Sequence, residues 1–210
     1  MSKDRQNKEK NFWDNYAKKY DSLIQKIKPT YNLLIGYILE YIDSSKDVLE
    51  IASGTGIITL EIAEKANKVY GCDISPEMVN VANEKLNKTK IKNIKFEVQD
   101  AYELDYMEES FDIVIASNVL HIMINPERAL SSVYKVLKPN GILIAPTYCH
   151  GENLITRFIS SLMSIVGFKA YQKWSISEFE NFTESNKYKI IEFKIIKGKI
   201  PLAFVVTKKI

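Results

Sequence analysis

The chain has 210 residues, 46% of them apolar and 26% charged, a globular balance and a length that suits one domain with a substantial core. Its formal charge of +3 comes from 29 basic and 26 acidic side chains interspersed along the chain, which gives no basic patch for nucleic acid. Two cysteines, Cys72 and Cys149, make neither a disulfide framework nor a metal spacing. The charged N-terminus and the lack of any apolar run long enough to span a bilayer predict a soluble, cytoplasmic protein.

In chain order, residues 11–27 have helical spacing, with Phe12, Trp13, Tyr16 and Tyr20 on one stripe. Residues 48–51 read as a buried parallel strand. Ser53 to Gly56 form a tight turn, and residues 57–66 resume with helical apolar spacing. A short strand over 68–72 ends at Asp73. Pro76 starts a helix to about residue 87, residues 94–98 form a third strand ending before Asp100, and residues 111–116 a fourth, apolar enough to be buried on both faces. Residues 127–137 are helical and are broken by Pro139-Asn140-Gly141 before a fifth strand over 142–145. Residues 154–168 put Ile155, Phe158, Ile159, Leu162, Ile165 and Val166 on one broad helical face. Residues 188–196 and 201–207 flank a Lys197-Gly198-Lys199 turn as a hairpin.

Alternating strands and helices predict an α/β sheet. Its most informative element is the run Val48 to Ile58 followed, nineteen residues after Gly54, by Asp73. A strand, a glycine turn, a helix and an acid at the end of the next strand make a nucleoside site. The carboxylate accepts from a ribose diol while the loop backbone approaches the rest of the ligand. Thr59 stands where a dinucleotide fingerprint wants a small residue, and no Gly-Lys-Ser/Thr P-loop occurs. Glu50, at the end of the first strand, would repel a pyrophosphate and suit a cationic ligand, or else hold loop N–H groups.

The run Glu50-Ile51-Ala52-Ser53-Gly54-Thr55-Gly56, then Asp73, Asp100-Ala101 and Leu137-Lys138-Pro139-Asn140-Gly141, resembles the class I S-adenosylmethionine-dependent methyltransferases. Within these it is most similar to the small-molecule branch that includes ubiquinone/menaquinone biosynthesis enzymes. The resemblance covers residues 12–148 well. It departs at Ala52, where the family usually has glycine. It implies a Rossmann-like, doubly wound, seven-stranded sheet, mostly parallel with one antiparallel strand near the C-terminus, plus an N-terminal helical lid. One domain over 1–210 is expected: a lid (1–45), a cofactor core (46–148), a cap insertion and helix (149–187) and a hairpin (188–210).

The resemblance further implies residue roles. The Ala52, Ser53, Gly54, Thr55 and Gly56 backbone, behind Glu50, takes the amino-acid head of S-adenosylmethionine, with Tyr16 and Tyr20 reaching in from the lid. Asp73 takes the ribose hydroxyls, Ile74 and Met78 pack on adenine, Asp100 and the Ala101 N–H read its edge, and Asn118 and Val119 lie under the methionine portion. His121 is the candidate general base, needed only if the acceptor must lose a proton, with His150 and Tyr148 on the presumed acceptor side. The product would be S-adenosylhomocysteine, and no metal is expected.

The expected acceptor is a small, partly hydrophobic molecule. The 154–168 segment reads as an apolar cap over its pocket, and membrane-surface contact is not expected, because one arginine is a thin basic face. A nucleic-acid or protein methyltransferase is the alternative, though Ser117-Asn118-Val119-Leu120 lacks the Asn-Pro-Pro-aromatic element of base-amine enzymes. A non-catalytic nucleotide-binding module is another, and Ala52 is its only hint.

Overall fold

The computed structural model describes residues 3–165 and 168–210, which fall into two compact units, 1–105 and 106–210. The first unit runs α1 (Lys3–Gln25), α2 (Lys28–Leu39), β1 (Asp47–Ile51), α3 (Ile57–Ile62), β2 (Lys68–Asp73), α4 (Pro76–Leu86) and β3 (Ile94–Val98). The strands pair in parallel in the order β3-β2-β1, with Ile51 opposite Cys72 and Asp73 opposite Val98. Parallel neighbours need helical crossovers, supplied here by α3 and α4. This is why β1 and β2 are almost wholly buried. Helix α4 starts at Pro76 as its sequence predicts, and Ser75 caps it by accepting from Met78 N at 3.1 Å. Val79 and Ala82 of α4 close on Phe96 of β3, with Leu60, Leu86 and Ile94 packed around them. Helix α3 is shorter than the 57–66 periodicity suggests. It ends at Ile62, and its last residues continue as turns.

The second unit runs β4 (Phe111–Ile115), a 3₁₀ turn (Leu120–Ile122), α5 (Pro126–Val136), β5 (Leu137–Ile144), β6 (Thr147–Tyr148), α6 (Leu154–Ile165), α7 (Ile176–Ser185), β7 (Tyr188–Ile196) and β8 (Leu202–Lys209). β4 and β5 are parallel, and β8 runs antiparallel to β5, β6 and β7. Mostly parallel strands with one antiparallel region near the C-terminus are the architecture the sequence predicts. The Pro139-Asn140-Gly141 break is not a linker ahead of β5. Leu137 already pairs with Phe111, the chain then loops out with Asn140 at φ +64°, and pairing resumes at Ile142–Ile113. β6 is a further two-residue strand. It continues the line of β5 along β8 after Pro146, whose missing N–H interrupts the ladder.

Helix α6 is rotated opposite to an ordinary surface helix. Its buried residues are Thr156 and Ser160, while Leu154, Ile155, Phe158, Leu162 and Ile165 are exposed. The expected continuation through Val166 lies outside the described residues. Asn153 fixes the rotation, accepting from Thr156 N while Thr156 Oγ1 accepts from Asn153 N, both at 3.0 Å.

Candidate nucleoside-binding site

The loop after β1 is held from beneath. Ser53 N donates to Cys72 O and Gly56 N to Ser53 O, each at 2.9 Å. Ala52, Gly54 and Gly56 all have positive φ, at 51°, 54° and 74°. Side chains avoid this region because Cβ crowds the following carbonyl, so Ala52 sits where the family's glycine would be unstrained. The two glycines serve different ends. A Cβ on Gly56 would lie 2.6 Å from Phe96 Cζ, so this glycine is fixed by core packing. A Cβ on Gly54 would meet only Tyr20 Cε1 at 3.8 Å and Met78 Sδ at 3.9 Å. Gly54 is therefore the open point of the loop, flanked by a lid aromatic and a thioether.

Asp73 ends β2 beside that point. Its Oδ2 accepts from Gly54 N and its Oδ1 from Ser75 N, both at 2.9 Å. Burial pushes its pKa up to about 6, against the lowering effect of these N–H groups and with a further push from Asp14. A carboxylate offers about four lone-pair sites, so two amides leave acceptor capacity for a diol.

Glu50 turns the other way. Buried at the end of β1, its Oε2 accepts a short hydrogen bond from Thr59 Oγ1 on α3. Burial raises its pKa to about 8 from 4.5, so the carboxyl is largely protonated at neutral pH. The folded state holds this proton between about pH 4.5 and about 8, where the unfolded chain has lost it, so stability falls as pH rises through that window. Glu50→Gln is expected to flatten that slope and to exceed the parent in stability above pH 8. Denaturant titrations across the window would show it.

Helix α1 lies on this loop through two carboxylates. Asp14 Oδ1 accepts from Ser75 Oγ at 2.5 Å and from Glu77 N at 3.3 Å. Asp21 Oδ1 accepts from Thr55 Oγ1 at 2.5 Å, and its Oδ2 pairs with Lys85 Nζ at 2.9 Å. Asp14, Ser75 and Lys85 do not figure in the sequence reading. The available signal is that Asp14 and Asp21 are seven residues apart and so share one helical face. Tyr20, half-buried, stands over Gly54 and lies 3.4 Å from Tyr31 Oη through its own hydroxyl. Tyr16 stacks on Phe12 with centroids 4.6 Å apart.

The remaining expected residues of this unit are Asp100, Ala101, Met78 and Ile74. Gln99 N donates to Asp73 O at 3.0 Å, tying the end of β3 to the end of β2, and Asp100 Oδ1 accepts from Tyr102 N at 2.9 Å in the following turn. Ala101 and Met78 are buried, and Ile74 is half-buried. Ser53 Oγ is buried with no hydrogen-bond partner among the described residues.

Asn118, Val119 and His121 belong to the second unit. Asn118 has φ +54°, donates its N–H to Pro146 O at 2.8 Å, and leaves a buried Oδ1 without a partner among the described residues. Val119 is buried. His121 and His150 stack with centroids 5.0 Å apart and planes at 27°, with Tyr148 edge-on to His121 and Phe168 beside both. All four ring nitrogens are buried without a partner among the described residues. Burial, with His150 adjacent, holds His121 well below its usual pKa; burial and Lys173 bring His150 down to about 4. Both imidazoles are therefore neutral at pH 7. No cluster of three or more metal-ligating side chains occurs among the described residues.

An open glycine turn at the end of one parallel strand lies beside a buried aspartate at the end of the next, the place in an open α/β sheet where ligands bind. The chain belongs to a methyltransferase family: the model described as "Methyltransferase domain" matches residues 42–195. It is 37% identical over 101 residues to the ubiquinone/menaquinone biosynthesis C-methyltransferase UbiE of Hydrogenovibrio crunogenus, covering 46% of this chain and 40% of that one. It is 34% identical over 118 residues to the ribosomal protein L11 methyltransferase of Dictyoglomus thermophilum, covering 55% and 37%. The chain spans about half the length of the curated relatives it matches. The crystal structure of YcgJ from Bacillus subtilis shares the fold, with a TM-score of 0.72 at 18% identity over 83% of this chain and 97% of that one.

Proposed function

We propose that this protein transfers a methyl group from S-adenosylmethionine to a small, partly hydrophobic acceptor. The observation that carries the reading is the Asp73 carboxylate bonded to Gly54 N, with Tyr20 and Met78 at the open side of that glycine. The residues fit the donor: Asp73 keeps lone pairs for a ribose diol, and the buried Ser53 Oγ lacks a partner among the described residues. When bound, S-adenosylmethionine supplies a methyl group on positively charged sulfur, open to in-line attack by an acceptor lone pair.

In this reading Asp73 holds the ribose, and the Ala52, Ser53, Gly54, Thr55 and Gly56 backbone with Glu50 behind it holds the amino-acid head. Tyr20 and Tyr16 close the lid, Ile74 and Met78 pack on adenine, and Asp100 and Ala101 meet its polar edge. Alignment of donor and acceptor supplies most of the rate, because the methyl is already activated. His121, neutral and with a free lone pair, takes the acceptor's proton where one must leave. Burial keeps the imidazole unprotonated at neutral pH, so a ring nitrogen is available to accept that proton.

The relatives favour two acceptor classes: UbiE's name points to a small molecule and the L11 enzyme's to a protein. Titration calorimetry with S-adenosylhomocysteine, then an acceptor panel followed by release of that product, tests the reading. Turnover of proteins alone would overturn the small-molecule part, and absence of binding the whole. His121→Ala is expected to keep S-adenosylhomocysteine affinity within about threefold while lowering turnover of a phenolic or thiol acceptor by roughly 10²–10⁴-fold. Loss of binding in that variant would place His121 in the donor site instead.

A further inference from the structure

Helix α6 carries the largest departure from ordinary burial in the chain. Leu154, Ile155, Phe158, Leu162 and Ile165 are 84%, 70%, 64%, 49% and 79% exposed. At one hundred degrees per residue all five fall within one face, opposite the buried Thr156 and Ser160. A surface helix normally buries that face, and a contiguous exposed apolar patch marks an interaction surface. The Asn153–Thr156 bonds lock the rotation, and Ser160 Oγ is buried without a partner among the described residues. The inward side therefore offers the apolar residues no home.

The charges around the helix identify what covers it. Residues 153–177 contain Arg157, Lys169 and Lys173; of the flanking acids, Glu152 is engaged by Ile176 N and Glu178 by Ser175 N and the charge of Arg157, which leaves Lys169 and Lys173 as the cations beside the exposed face. Lys173 Nζ lies 3.4 Å from Ser161 Oγ, which sets a cation along the flank of the exposed face. Tyr171, exposed and under the Lys169 ammonium at 4.6 Å, adds an amphipathic ring at the same margin. An apolar face bordered by cations and aromatics matches the boundary between acyl chains and acidic headgroups. A second copy would bring like charges together. No described helix is long and apolar enough to cross a membrane, so a twelve-residue helix of this kind lies along the surface.

We propose that α6 docks this protein on an anionic lipid surface, with the Leu154, Ile155, Phe158, Leu162 and Ile165 face entering the bilayer boundary and Lys169 and Lys173 meeting lipid phosphates. This reverses the expectation that the segment caps a pocket away from membranes, and it stands independently of the methyl-transfer reading. The test is flotation of the full chain with phosphatidylcholine vesicles, with and without about one-third phosphatidylglycerol. Binding to the anionic vesicles is expected to exceed that to phosphatidylcholine by roughly tenfold or more and to fall with salt.

Phe158→Ser and Leu162→Gln, both at exposed positions, are expected to lower binding by roughly tenfold or more each while leaving the thermal unfolding transition unchanged or higher. Lys169→Glu with Lys173→Glu should erase the preference for anionic vesicles. Should either apolar variant unfold, quenching of the Phe158→Trp variant's fluorescence by brominated lipid reports the same insertion. The proposal is overturned if the parent binds neither vesicle, if binding ignores the apolar substitutions, or if brominated lipid leaves the fluorescence of Phe158→Trp unchanged. It is equally overturned if light scattering shows a dimer that Phe158→Ser dissolves while vesicles are ignored.

Discussion

Asp73→Ala is expected to weaken S-adenosylhomocysteine binding by about 10²-fold or more. Two hydrogen bonds from a ribose to an ionised carboxylate contribute roughly 1.5–3 kcal/mol each, and 1.4 kcal/mol is a factor of ten. The side chain also organises the site, because it receives Gly54 N and Ser75 N, so the loop loses its anchor together with the ligand's. Asp73→Asn keeps one acceptor oxygen but sets an NH₂ group against an N–H donor, and about tenfold loss is expected there. In the parent, affinity should fall as pH drops through about 6, where the buried carboxyl takes up its proton. Calorimetry on the variants and on the parent across that range checks both parts. Undiminished affinity in Asp73→Ala would remove the basis of the functional reading.

Gly56→Ala should be the most damaging single methyl in the first unit. Its left-handed φ costs roughly 1–2 kcal/mol for an alanine, and forcing a Cβ 2.6 Å from the Phe96 ring adds about 1–3 kcal/mol of overpacking. Phe96 cannot swing aside cheaply, since Val79 and Ala82 close on it. A fall in Tm of roughly 5–15 °C is expected, at about 2–4 °C per kcal/mol for a chain of this size. Gly54→Ala shares the φ but lacks the clash, so it should lose much less stability and chiefly impair ligand binding. Combining Gly56→Ala with Phe96→Leu should recover part of the loss, because the two side chains contend for one space. Equal destabilisation by the two alanines would show that conformation alone, and not packing, fixes Gly56.

What could be read in advance was whatever the chain encodes locally. β1, the glycine turn and Asp73 lie within twenty-seven residues, and strand periodicity and the helix-starting proline each carry their signal in neighbouring positions. Hydrophobic periodicity likewise marks the broad apolar face of α6, but it cannot say which side meets the protein. That is decided by Asn153 and Thr156, two small polar residues whose reciprocal bonds have no periodic signature. The stacking of His121 on His150 joins positions twenty-nine residues apart, and nothing local announces it. Glu50 shows the same limit. Its type suggests a charge beside a ligand, whereas its depth at the end of β1 and the Thr59 hydroxyl make it a largely neutral group at pH 7.

Ser75 has a wider consequence. Its hydroxyl donates to Asp14 and accepts from Met78, while its amide donates to Asp73. In the proposed reading the seat for the sugar and the hold on α1 thus share one residue. By reciprocity of linked equilibria, any factor by which the hold on α1 changes nucleoside affinity is also the factor by which a bound nucleoside changes that hold.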